Sequence, residues 1–438
     1  MHSLWLDTAQ LPSFPPLRDS RKADVLIIGG GMAGLLCAHL LAAQGVDAVV
    51  AEADTICGGV TRFTTAKITS QHGLIYSKLL QTYGKETAKL YLEAQEAALG
   101  QYRALCRTAD CDFEETNTYV YALDSRKAID RELRALEEIG APASFAANLP
   151  LPFSVAGAVR FSNQAQFHPL KLAAALASKL QIYEHTRVLE LAPGRAVTDH
   201  GTIQAEHMIV ATHFPFLNKH GGYFLKLYQH RSYVLALKNA PSVNGCYVDE
   251  SKTGLSFRNY GALLLLGGGG HRTGRHTNGW RPLSAFARRF YPQAREVGRW
   301  ATQDCMSLDG IPYIGSYSKR TPNLYVATGF NKWGMSSAMV SAMVLTDRIL
   351  GRDNPYASVF SPSRSSLHPQ LALNTAEAIR GLLTPTAPRC PHMGCALTYN
   401  RQEHSWDCSC HGSRFSEEGR LLNNPATAGK DLPRHQNR

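Results

Sequence analysis

The stretch Ala23-Asp24-Val25-Leu26-Ile27-Ile28-Gly29-Gly30-Gly31-Met32-Ala33-Gly34 decides how most of this 438-residue chain folds. Its first six residues make a short apolar run of the kind that forms a strand buried on both faces. Leu35 to Ala43 then reads as an apolar helix, and Gly45-Val46-Asp47-Ala48-Val49-Val50-Ala51-Glu52 as a second strand ending in an acid. This is a strand–helix–strand unit with G-x-G-x-x-G at its first turn and a carboxylate roughly 20 residues on. Gly29 permits the tight turn, Gly31 lets backbone N–H groups approach a pyrophosphate, and Gly34 lets helix and strand pack closely. Gly30, Met32 and Ala33 complete the turn and the helix N-terminus, whose dipole favours phosphate charge. Glu52 is placed to accept hydrogen bonds from ribose hydroxyls.

A second such unit is missing. Gly267-Gly268-Gly269-Gly270-His271 follows the strand-like Ala262 to Leu266, but Arg272 and Thr273 break the phosphate pattern. One dinucleotide is therefore expected, FAD or NAD and not both. The later part of the domain favours FAD. Asn323 to Thr328 reads as a strand running into Gly329, and Asn331 to Asp347 as a helix start and a helix of small and apolar residues. Its N-terminus, with Gly334 and Met335, could face a flavin ring and polarise it. Leu308 to Gly315 is a loop marked by glycine and proline.

These pieces, with the opening Ser3-Leu4-Trp5-Leu6-Asp7-Thr8, Asp309-Gly310-x-Pro312-x-x-Gly315 and Ala327-Thr328-Gly329-Phe330-x-x-x-Gly334, resemble the D-amino acid oxidase and glycine oxidase superfamily of FAD oxidoreductases. The resemblance runs from about Ser3 to Gly351. It implies that Gly58 to Gly73, including Thr61, lies along the flavin, and that Val188 makes a backbone contact on the adenine side. It also implies a discontinuous FAD-binding part (about 22–75, 150–215 and 305–352) interrupted by a substrate-binding part (about 76–149 and 216–304). Candidates for the substrate pocket are His230, Arg231, Tyr233, Tyr260, His271, Asn331 and Trp333. Arg231 is the residue expected to clamp a substrate carboxylate, with Asn331 and Trp333 as further catalytic candidates. Tyr233 and Tyr260 are as readily core residues, and His271 a turn residue.

The tail carries separate chemistry. Cys390-Pro391-His392-Met393-Gly394-Cys395 and Cys408-Ser409-Cys410-His411-Gly412-Ser413-Arg414-Phe415 give C-x-H, fifteen intervening residues, then C-x-x-H. Two thiolates and two imidazoles on two loops are what a Rieske [2Fe–2S] centre needs, one iron held by each pair. A tetrahedral zinc site is the alternative; the C-x-H spacing and the Cys-His-Gly-Ser-x-Phe run weigh against it. The segment resembles Rieske domains that carry an extra disulfide. By that resemblance Cys390, His392, Cys408 and His411 are the ligands and Cys395–Cys410 the bridge. The chain resembles, more narrowly, the branch of FAD oxidoreductases with a C-terminal Rieske domain. Residues 353–388 read as a linker with a short helix, and 389–438 as a shortened domain. So small a unit buries little core and should lean on the cluster, the disulfide or the preceding domain.

The fold expected is an α/β, Rossmann-like FAD-binding domain (within 1–352) with an inserted α+β substrate-binding domain, plus a small all-β Rieske-type domain. The formal charge of +11 invites a nucleic-acid partner. No Lys/Arg cluster interleaved with aromatics supports one, and Arg272, Arg275, Arg288, Arg289, Arg295 and Arg299 read as a solvated loop and helix. No 18-residue apolar run predicts a membrane span. The scattered Cys37, Cys57, Cys106, Cys111, Cys246 and Cys305 read as reduced thiols of a cytoplasmic protein. The resulting expectation is oxidation of an amine or amino acid by FAD, with electrons passing through the cluster to an acceptor such as a quinone or a small redox protein. An NAD(P)H-fed reductase and a non-catalytic electron carrier are the alternatives.

Overall fold

The computed structural model describes residues 2–251, 254–275, 278–385 and 387–432, so the last six residues of the expected Rieske domain lie outside it. Among the described residues the strands form sheets of eight, nine and four. The first runs Tyr313–Ser316, Leu324–Thr328, Thr202–Val210, Arg21–Ile28, Ala48–Ala51, Gln181–Tyr183. Arg21–Ile28 is central and parallel to both neighbours. That position explains its apolar run, because Val25 to Ile28 are buried from both sides. Helices Met32–Ala42 and Gly334–Ile349 share one core cluster on this sheet. Val188 opens the strand Val188–Ala192.

The second sheet runs Arg295–Met306, Tyr228–Lys238, Leu263–Arg272, Ser256–Tyr260, Cys246–Asp249, Glu114–Ala122, Gly157–Gln166, Lys67–Ile68. Alternation sorts its side chains. Val234, Ala236, Leu265 and Trp300 enter the core of the dinucleotide fold. Tyr233, Leu235, Leu237 and Ala301 pack with Trp280 and Leu283 on the other face. The four glycines and His271, read as a loop, lie inside the strand Leu263–Arg272. Close packing accounts for the first two: a Cβ on Gly267 would stand 2.5 Å from Ser256 Oγ, and one on Gly268 2.8 Å from Leu255. Arg295 and Arg299 are on a strand and not on the helix Arg281–Phe290, which holds Arg288 and Arg289.

The third sheet, Leu397–Asn400, Ser405–Cys408, Arg414–Ser416 and Leu421–Asn423, has a small core that includes Cys390, Cys395, Cys408, Cys410, Trp406 and Phe415. The helix Pro369–Leu383 precedes it and packs in an unusual sense. Its buried residues are Asn374, Glu377 and Gly381, while Leu373, Ile379, Leu382 and Leu383 are exposed. Arg272 Nη1 donates to Asn374 Oδ1 at 2.9 Å, and Arg275 pairs with Glu377. A Cβ on Gly381 would lie 2.6 Å from Cys410 Sγ, so glycine lets the helix back onto the cysteine loops.

Candidate functional site

The phosphate turn has the form its glycines require. Gly29 has φ 110°, and a Cβ there would stand 2.7 Å from the Ala211 carbonyl. A Cβ on Gly34 would lie 1.9 Å from the Gly29 carbonyl, so helix and turn meet only through glycine. Above Gly31 the nearest atom to such a Cβ is Thr61 Oγ1 at 3.5 Å. That hydroxyl accepts from the Met32 N–H at 3.2 Å, bringing the 58–73 segment against the helix start. Ala33 follows in the first helical turn. Glu52 accepts from the Gly30 N–H at 2.7 Å and the Asp54 N–H at 2.9 Å, so it shapes the turn as well as facing it. Burial raises its pKa. A cradle kept open by glycines at a helix N-terminus fits a dinucleotide.

A second turn runs from Gly329 (φ 72°) into the helix Gly334–Ile349. Trp333 stacks on His72 with ring centres 5.0 Å apart. His72 in turn meets Tyr91 Oη at 2.6 Å and Ser336 Oγ at 2.9 Å. Burial lowers the His72 pKa to about 3, leaving it neutral. The Met335 carbonyl accepts from Tyr102. Asn331, a catalytic candidate, is instead a latch. Its Oδ1 accepts from the Ser307 N–H at 2.9 Å, and its Nδ2 donates to Ser307 Oγ at 2.9 Å and to the Gly329 carbonyl.

The two tail loops converge. Cys408 ends the strand Ser405–Cys408, and the hairpin turn carries His411 beside His392, ring centres 4.8 Å apart. The Nδ1 atoms of both histidines are buried with no hydrogen-bond partner among the described residues. Burial lowers both pKa values to about 4, the neutral form a metal requires. Cys390 and Cys408 are buried thiols in contact. Two orphaned ring nitrogens beside two thiols fit a His₂Cys₂ cluster. Cys395, Cys408 and Cys410 have sulfurs within 4.8 Å of one another. The expected Cys395–Cys410 bridge is not formed in this structure, which holds both as free thiols in side-chain contact.

Arg231 is not a substrate clamp. Its Nε donates to Glu403 Oε1 at 2.8 Å and its Nη2 to Glu403 Oε2. Glu403 also takes a hydrogen bond from Arg414 Nη2 at 2.9 Å and one from Tyr233 Oη at 3.1 Å. The alternation of the strand aims Arg231 at the iron–sulfur domain and away from the dinucleotide fold. Tyr233 is on that same face, with His271 stacked on it. Tyr260 donates to Asp112 and packs on Trp5. Gln229 and Gln303 complete the junction: Gln229 Nε2 donates to the His411 carbonyl at 3.0 Å, and Gln303 Nε2 to the Gly412 carbonyl at 2.9 Å. Asn424 Nδ2 donates to the Thr212 and Phe214 carbonyls at 2.6 and 2.9 Å. Phe214 stands edge-on to both cluster histidines, and His392 Nε2 meets Asn218 Oδ1 at 3.1 Å. Sequence reasoning missed Glu403, Gln229, Gln303 and Phe214. A lone Glu in a short hairpin gives no hint that a distant arginine needs it.

Residues 24–348 match the family model DAO, FAD dependent oxidoreductase, and residues 367–434 the Rieske [2Fe-2S] domain. Over 96% of its length the chain is 32% identical to 95% of YhfW of Bacillus subtilis (strain 168), described as a Rieske 2Fe-2S iron-sulfur protein. Over 45% of its length it is 26% identical to half of the gamma-glutamylputrescine oxidoreductase of Escherichia coli (strain K12). Among solved structures, glycine oxidase from Geobacillus kaustophilus superposes with a TM-score of 0.66 at 20% identity, covering 79% of this chain and 99% of that one. L-proline dehydrogenase from P. horikoshii gives 0.67 at 16%, covering 79% and 98%. No helix among the described residues is long and apolar enough to cross a membrane. The chain therefore belongs to the DAO family of FAD-dependent oxidoreductases and carries a Rieske [2Fe-2S] domain at its C-terminal end.

Proposed function

We propose that this oxidoreductase oxidises an amine or amino acid and passes the electrons through its own Rieske centre to an external acceptor. Bound FAD supplies a hydride acceptor and the bound cluster a one-electron carrier. The observation that carries the reading is the docking of the cluster loops. His392 and His411 lean on Phe214, in the segment that continues from Ala211, whose carbonyl closes over Gly29. Cluster loops that rest on the chain segment leading out of the FAD-binding turn favour exchange within one chain. The protein's own residues have assignable tasks in this reading. Gly29, Gly31 and Gly34 form the turn that holds the dinucleotide, while Thr61, Gly329, Gly334 and Met335 bound its far end. Cys390, His392, Cys408 and His411 hold the cluster. Trp333, fixed by His72, walls the helix N-terminus, and Cys395 and Cys410 are placed to pair when oxidised. The solved structures that share this fold include a glycine oxidase and an L-proline dehydrogenase, which supports a nitrogen-bearing substrate.

The test is anaerobic mixing of flavin- and cluster-loaded protein with a panel of amines and amino acids. Flavin bleaching followed by the low-temperature resonance of the reduced cluster is expected. A Cys408→Ser variant should keep the bleaching and lose reduction of an artificial one-electron acceptor. Full turnover with oxygen alone, matched by that variant, would exclude the relay.

A further inference from the structure

The inner face of the edge strand Arg295–Met306 and its neighbour Tyr228–Lys238 holds polar groups that neither cofactor cradle uses. Across the ladder Ser232 pairs with Thr302 and His230 with Asp304. By alternation these residues continue the face of Val234 and Trp300, which enter the core shared with Met32, Cys57 and Met335. Gln303, between them, points the opposite way to Gly412. The face has two borders. Trp300 Nε1 donates to the Phe63 carbonyl at 2.9 Å, beside Thr61. At the other border the Asn331 N–H donates to the Cys305 carbonyl at 3.0 Å. Thr302 and Asp304 thus lie between the segment around Thr61 and the turn that starts the helix Gly334–Ile349.

Two half-buried side chains there have no hydrogen-bond partner among the described residues. Thr302 Oγ1 is buried with no hydrogen bond among the described residues. Asp304 makes no hydrogen bond or ion pair among them, and the charges of Lys332 and Arg231 act on it only through space. Burial pushes its pKa up to about 6. A carboxylate in such a position is stabilised by a cation brought to it and opposed by an anion. The one arginine on this strand pair that the sequence nominates for a carboxylate, Arg231, is already neutralised by Glu403.

We propose that Asp304 is the substrate-recognition residue, with Thr302 as second acceptor, and that it takes an alkylammonium group, so that the substrate is an amine whose oxidised carbon bears no carboxylate. This rests on the amine-oxidation reading above and narrows it. A carboxylate on that carbon would be held against Asp304 and repelled.

The matched probes are n-butylamine and norvaline, which is n-butylamine with a carboxylate on the carbon to be oxidised. Binding to anaerobic holoenzyme is read from the flavin spectrum and from the thermal midpoint, and turnover from flavin bleaching. Wild type is expected to bind n-butylamine and to prefer it to norvaline by ten-fold or more. Asp304→Asn should lose ten-fold or more in n-butylamine affinity with flavin and cluster spectra intact, and Asp304→Glu should recover part of it. Equal n-butylamine binding by Asp304→Asn, tighter binding of norvaline by wild type, or no binding of n-butylamine to wild type would each overturn the assignment. Bleaching by amines that Asp304→Asn leaves unchanged removes Asp304's role and keeps amine oxidation. Asp304-dependent binding without bleaching by any amine does the reverse.

Discussion

The Arg231 guanidinium and the Glu403 carboxylate meet across the boundary between the substrate sheet and the iron–sulfur domain, 3% and 0% exposed. Arg414, 2% exposed, reaches the same carboxylate and also Asp407. Removing one member of a buried network leaves uncompensated charge, at a cost of about 3–5 kcal/mol. Glu403→Gln should therefore lower the unfolding free energy of the holoenzyme by about that amount in urea. A loss under about 1 kcal/mol would show that water reaches the junction. The effect has a pH signature. Burial alone would raise the Glu403 pKa, but Arg231 and Arg414 hold it at about 2 against an ordinary 4.5. A depressed carboxylate stabilises fully above about pH 4.5 and loses that contribution as pH falls toward 2. Wild type and Glu403→Gln should thus converge in acid.

Asp304 should behave with the opposite sign. Its pKa is raised to about 6 from an ordinary 3.8, so the ligand-free fold is penalised as pH rises through that window and fully so above it. Asp304→Asn is expected to stabilise the amine-free protein by roughly 1–3 kcal/mol at pH 8 and by nothing below pH 4. Thermal unfolding across that range checks it. An equally large gain at low pH would point to a packing effect.

Gly34→Ala places a methyl 1.9 Å from the Gly29 carbonyl, a contact only backbone movement can relieve. The turn that receives the pyrophosphate must open. Flavin content on purification should fall at least ten-fold, with a stability loss of about 1–3 kcal/mol. Gly100→Ala, inside the helix Tyr76–Cys106 with nothing within 4 Å, is the control and should retain flavin.

His411→Ala removes one of the two orphaned Nδ1 atoms. The variant should lose the [2Fe–2S] spectrum and its iron while keeping FAD, because the flavin cradle draws no residue from the tail. Retained cluster with altered resonance would show that another group replaces the imidazole.

The dinucleotide turn was legible because each glycine answers a steric demand local to it: Gly29 its positive φ, Gly34 a helix–turn contact. The cluster loops were legible because ligand chemistry confines residue types to short spacings. Arg231 was misread for a different reason. Its residue type suits a carboxylate, but the sequence does not say whose, and the partner lies 172 residues away. Asn331 likewise looked like a polar group available for substrate, while its turn needed both ends of its amide. Four glycines before His271 suggest a loop; in the fold they lie in a strand, which Gly267 and Gly268 thin so that Ser256 and Leu255 can approach. The helix Pro369–Leu383 resisted reading because its polar residues are the inward ones, set by arginines from another sheet.

The junction has one more consequence. Gln229, Gln303, Arg231 and Arg272 bind the loops of the iron–sulfur domain from several directions, and its own Asn424 reaches back to the Thr212 and Phe214 carbonyls. A domain fastened at so many points has no arc through which to swing. It cannot act as a mobile arm that collects charge in one place and delivers it in another. Whatever takes electrons onward must diffuse to the protein, and the rate of that step should climb with the carrier's concentration until collision ceases to limit it.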